Sequence, residues 1–212
     1  MRTRPVHAVL AVVACAALAT SCAARPDEGV RSTAEARSDH LHDLAELYGI
    51  TDPPEIALER YVDLDEAPRV LAACLVEAGW PGVRASSDGS LDSGDMDPGD
   101  QAAYNEDVYV CSARFSTHPR YLRELTREQQ GVVFDYYAHT LTPCLREHGQ
   151  DVPAAPPRDG WIDAAHVAEG DESAAGPWNP YSFVEPRDAA HWELLNESCP
   201  QLPPTEELWG EG

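Results

Sequence analysis

Five groups of side chains in this chain have types and spacings that could do chemistry. Asp88, Asp92, Asp95, Asp97 and Asp100 crowd one stretch, an oxygen-rich set of the kind that holds calcium. The EF-hand register fails, because Gly99 stands where a third loop ligand is required, so a solvated acidic turn is expected. His40 and His42 lie two apart, and on a helix such residues face different ways, so they are expected as surface residues without a shared metal. His139, Glu147 and His148 share the longest apolar-periodic stretch but lack the His-Glu-x-x-His spacing of a zinc helix, and a satisfied, partly buried His139 is expected. Asp163 with Glu169 is a conceivable acid–base pair, one of many in a chain with 37 acidic residues. Trp161, Trp178, Tyr181 and Phe183 form an aromatic group in a Pro- and Gly-rich region, either a binding platform or a lid over an irregular core. No Gly-x-Ser-x-Gly elbow, P-loop or dinucleotide fingerprint is present, and no metal or cofactor is expected.

The elements that must position these groups are mostly helices. The central one is expected over Thr126 to Gln150: Thr126 and Gln129 have capping-box spacing, Val133, Tyr137, Leu141, Cys144, Leu145 and His148 recur at helical steps, and Gly149 closes it. Pro143 should kink it near His139. Before it, the pattern predicts a short helix over Asp39 to Tyr48 capped by Ser38. Glu55 to Val62 reads as a strand with a helix as its rival, and a helix follows over Asp65 to Ala78. A hairpin is expected over Val83 to Ser93 and a helix from Pro98 to Phe115. After it come a proline-rich crossing, a loose acidic loop over Ala164 to Gly176, a last helix over Arg187 to Cys199, and a frayed acidic tail from 203 to 212.

Residues 1–21 read as a signal peptide: Arg2 and Arg4, then an apolar run from Ala8 to Leu18 too short to span a bilayer. Ala19-Thr20-Ser21-Cys22 resembles a lipobox, so Cys22 is the expected lipidation site; the alternative is a plain secretory signal cut after Ala24. Residues 22–38 read as a tether and 39–202 as one extracytoplasmic domain. The 15 basic side chains are all arginine, against 37 acids and a net charge of −22; losing Arg2 and Arg4 makes it −24. That balance excludes a nucleic-acid footprint and leaves membrane attachment to the lipid anchor.

Four cysteines fall in the domain, in a compartment where disulfides persist. Cys74 and Cys144 each sit in a Cys-Leu-x-Glu-x-Gly helix end, and Cys111 and Cys199 each close a later helix. This order makes two similar halves, about 65–115 and 126–199, and favours Cys74–Cys111 with Cys144–Cys199; Cys74–Cys144 with Cys111–Cys199 is the rival pairing. The fold class expected is α+β, mostly α: a disulfide-stapled helical domain of two halves with a minor hairpin or small sheet.

The lipobox, Thr51-Asp52-Pro53-Pro54-Glu55, the two Cys-Leu-x-Glu-x-Gly turns, Trp178-Asn179-Pro180-Tyr181 and Cys199-Pro200 together resemble a family of actinobacterial lipoproteins. The resemblance implies a lipid-anchored protein on the extracytoplasmic face and brings no activity, ligand or catalytic residue. The functional expectation is a binding or envelope-interaction module, with Trp161, Trp178 and Tyr181 of the excursion between Gly149 and Cys199 meeting an envelope partner. The other class is an envelope hydrolase, which a pocket uniting His139 or His191 with buried carboxylates would favour.

Overall fold

The computed structural model describes residues 32–168 and 177–210. The signal peptide, Cys22 and the first part of the tether lie outside the described residues, as do Glu169 and most of the acidic loop. The fold is mostly helical with two small two-stranded sheets, and its sulfurs form two disulfides.

The first half is organised by two helices, α2 (Ala67–Ala78) and α3 (Gln101–Arg114). Cys74 of α2 is bonded to Cys111 of α3, with 5.9 Å between their Cα atoms, so the within-half pairing holds. Around that bond Leu75, Val83, Tyr104 and Val108 make a buried cluster. α2 stops where Gly79 takes φ +114°, a backbone conformation that a side chain would strain. The expected hairpin forms, but only as β2 (Arg84–Ala85) against β3 (Leu91–Asp92).

β1 is confined to Arg60–Val62. Its partner is β4 (Phe115–Thr117), which directly follows α3, and the two run parallel with Arg60 beside Phe115 and Val62 beside Thr117.

The expected tether end is helical instead. Here α1 (Thr33–Tyr48) begins with Ser32 and Glu35 in a reciprocal capping box, so residues 33–38 belong to the domain and Ser38 is no cap. Arg37 shows why. Its guanidinium donates to the Ser116 hydroxyl at 3.0 Å and to the carbonyls of Ile56 and Ala113 at 3.2 and 2.7 Å, binding α1 to the end of α3.

In the second half, α4 (Arg127–Tyr136) starts at the Thr126–Gln129 capping box. At Pro143 the missing N–H and the ring's bulk disturb the turn before it. The chain widens into a π-helical turn over Tyr137–Leu141, with the Thr142 amide donating to the Tyr137 carbonyl, and resumes as α5 (Thr142–Glu147). Two stretches expected as irregular are ordered. α6 (Arg158–Ala168) includes the start of the expected acidic loop, because Trp161, Ile162 and Ala165 fall on one buried helical face. α8 (Thr205–Trp209) replaces the frayed tail: Leu208 is buried and the Gln129 side chain donates to its carbonyl at 2.9 Å.

α7 (Ala189–Ser198) closes the half, with Cys199 at its end bonded to Cys144 of α5. The larger core cluster, including Phe134, Tyr137, Leu141, Leu145, Trp161 and Leu195, lies among these helices. The hairpin tip of the first half reaches α7: the Trp192 indole donates to Asp88 at 2.9 Å and the Ser87 amide to the Glu193 carboxylate at 2.9 Å.

Candidate functional site

The aromatic group is the first to place. Trp161 is 6% exposed and Tyr181 8%; neither ring is free to serve as a platform, which corrects the expectation of a binding surface built on them. The Trp161 indole donates to the Trp178 carbonyl at 2.7 Å, and its ring tilts against Phe134 and meets Tyr137 edge-on. The Tyr181 hydroxyl donates to the Cys199 carbonyl at 2.7 Å; burial, with smaller contributions from Tyr136 and Asp88, pushes its ionisation up to about 12. Trp178, half-buried, packs against the same cluster. These rings close the core, and only Phe183 of the group is substantially exposed, at 40%.

The acidic stretch is used locally. Asp97 accepts from the Gly99 amide, Asp92 from the Gly94 amide and Arg84, and Asp88 from Ser90 and Trp192. Burial alone would raise the Asp88 carboxyl, but the Ser90 hydroxyl and amide and the Trp192 indole outweigh it and hold it below the ordinary aspartate range.

The other candidates separate. His42 is exposed beside Glu46; His40 is half-buried, and burial lowers its proton affinity against a smaller pull from Asp43. His139 is exposed rather than partly buried, since it lies on the outer side of the π turn. Asp163 pairs with Arg127 at 2.7 Å. Cys144, His148 and Cys199 offer ligand atoms within 4.8 Å of one another, but both sulfurs are spent in the disulfide and supply no thiolate to a metal.

What the fold does assemble is a cleft of about 680 Å3 where the two ends of the second excursion meet. One lip is His148 to Asp151, just past α5; the other is Ser182 to Arg187, leading into α7, where His191 completes the wall. The lips are tied, the Glu185 amide donating to the Gln150 side-chain carbonyl at 2.9 Å. The Cys144–Cys199 bond and the Asp188 cap on the His191 amide fix the helices beneath.

His191 is 9% exposed, and its Nδ1 accepts from the Arg187 amide at 3.1 Å. That contact assigns the neutral ring its proton at Nε2, so the histidine offers a donor where a general base would need a lone pair. The carboxylates lining the cleft, Asp151 and Glu185, are exposed. Sequence reasoning missed Arg187 and the cleft itself. The signal was the Asp188-to-His191 spacing, which places the His191 ring at the first turn of α7 beside Arg187.

A second groove, about 800 Å3, runs between the first turn of α2, the hairpin tip and the C-terminal segment. Trp209 lines it, its ring met edge-on by Tyr121 with centroids 5.0 Å apart. No described helix is long and apolar enough to cross a membrane. Comparison with protein families, curated proteins and solved structures gives no match to this chain.

Proposed function

We propose that this is a lipoprotein anchored through Cys22 to the extracytoplasmic face of the cell membrane, whose folded domain is a non-catalytic binding module of the envelope. The cleft between the two ends of the second excursion is the observation that supports the binding role. It gathers side chains of both charge signs and an exposed phenylalanine on loops held by a disulfide and a helix cap, so little order has to be gained on binding. The hydrolase reading loses support in the same place. His191 presents a donor, the nearby carboxylates are solvated, and the Ser182 hydroxyl in the cleft has no base bonded to it among the described residues. The signal segment, the lipobox and the resemblance to actinobacterial lipoproteins support the address.

The test is a titration of the 15N-labelled, oxidised domain with envelope extract, followed by amide shifts. Changes confined to residues 148–151 and 182–191 are expected. Changes elsewhere, or none, would reject the cleft as the binding site.

A further inference from the structure

We propose that the cleft takes a short zwitterionic peptide, its carboxylate held by Arg187 and His191 and its ammonium by Asp151 and Glu185. This rests on the reading of the cleft as a binding site.

The anionic end is argued from two donors left without acceptors. The Arg187 guanidinium lines the cleft, is exposed, and makes no ion pair or side-chain hydrogen bond with the described residues, as is also true of Arg69 and Arg123. His191 lines the cleft, its Nδ1 accepts from the Arg187 amide, and its other nitrogen, which is not among the buried unpaired atoms, has no partner among the described residues. Both residues stand at the start of α7, where the Asp188 carboxylate already caps the helix through the His191 amide, so the ligand's carboxylate is held by the two side chains. A carboxylate matches the planar guanidinium fork.

The cationic end follows from charge. Asp151 and Glu185 line the same cleft, are exposed, and have no side-chain partner among the described residues. A purely anionic ligand would approach against a net charge of −22. A purely cationic one would set positive charge against Arg187 and the His191 donor. A ligand carrying both charges avoids both penalties. The volume, about 680 Å3, lies within the range of small-ligand sites and leaves room for a short peptide, with Phe183 as an apolar wall for a side chain.

The experiment is calorimetric titration of the oxidised domain at low ionic strength with trialanine bearing free ends, N-acetyl-trialanine, trialanine amide, and acetate alone. The free tripeptide should bind, and blocking either end should weaken binding by about tenfold, the scale of one charge-assisted contact. Arg187→Gln should weaken the free and N-acetylated peptides while leaving the amide unchanged; Asp151→Asn with Glu185→Gln should weaken the free peptide and the amide while leaving the N-acetylated peptide unchanged. Far-UV circular dichroism confirms that each variant is folded. Equal binding of blocked and free peptides, acetate binding as tightly as the tripeptide, or no tripeptide binding would overturn the proposal. If the tripeptide fails while envelope extract still shifts the cleft amides, the ligand class is wrong and the binding reading stands; if neither acts on the cleft, both fall.

Discussion

Replacing Trp161 with alanine tests whether the aromatic group is core or surface. The indole is 6% exposed, its ring lies within 5.6 and 6.0 Å of the Phe134 and Tyr137 centroids, and its N–H donates to the Trp178 carbonyl. Truncating a buried tryptophan costs about 3–5 kcal/mol, since the hole is only partly refilled. The Trp178 carbonyl also loses its donor, which places the change towards the upper end, about 4–5 kcal/mol. With a urea dependence of about 2 kcal/mol per molar, the unfolding midpoint should fall by about 2 M, a large part of what a domain of this size possesses. Because the alanine variant could fall below the folding threshold, Trp161→Phe serves beside it. That variant keeps an aromatic ring, loses the hydrogen bond, and should cost about 1–2 kcal/mol. Urea titrations followed by far-UV circular dichroism, with both disulfides intact, measure both. A midpoint shift below about 0.3 M for Trp161→Ala would refute the core assignment and return the ring to the surface.

Removing either disulfide as a double Cys→Ser variant should cost about 4 kcal/mol, because the bonded residues lie 37 and 55 positions apart and the chain-entropy dependence on loop length is shallow; urea melts measure it. Acid should open the contact between the hairpin tip and α7. Asp88 is held low as described, and the Ser87 side chain and amide hold Glu193 low, so their contribution is complete above about pH 4–5 and disappears as pH falls through the depressed folded values. The Trp192 indole N–H resonance should report that opening before global unfolding, and a resonance unchanged down to the global transition would count against it. Gly131→Ala should be nearly neutral by thermal melt. A Cβ there runs into the Arg158 guanidinium and disturbs its exposed pair with Asp135, a loss of about 0.2–1 kcal/mol, offset by about 1 kcal/mol of helix propensity. Intact mass of the membrane-extracted protein should show a diacylated Cys22; an unacylated chain starting at Arg25 would refute the anchor.

Where the sequence was informative, the signal was local. The Thr126–Gln129 box, the Gly79 and Gly149 stops and the positions of the four cysteines each depend on a few neighbouring residues, and each appears in the fold. Some local signals were outweighed by composition. Ser32-Thr33-Ala34-Glu35 is a capping box inside a stretch that reads as a polar tether, and Trp161, Ile162 and Ala165 mark a helix face in what reads as a loop. The β1–β4 pairing could not be read this way. It joins residues 55 apart through backbone groups, and three-residue strands carry almost no periodicity. Arg37 belongs with it, since its acceptors are carbonyls and a hydroxyl that only the folded chain brings together.

The misplacement of the binding residues has the same physical origin. Aromatic side chains in a loop carry two opposite tendencies, large contact area for a partner and large apolar area for the domain's own core. A domain of this size, divided into two helical clusters, has few large residues with which to close each one. Trp161, Trp178 and Tyr181 therefore go inward; the Trp161 indole and the Tyr181 hydroxyl find the backbone carbonyls of Trp178 and Cys199, while the buried Trp178 indole N–H is left without a partner among the described residues. Once the rings are spent on the core, the excursion's ends are left with polar and charged groups at the surface. Most arginines in so acidic a chain find carboxylates or carbonyls, as Arg127, Arg158 and Arg146 do. Arg187 does not among the described residues, while the Asp188 carboxylate beside it caps α7 through the His191 amide. The cap that fixes the helix uses the carboxylate next to Arg187, and the exposed guanidinium stays at the cleft without a partner among the described residues.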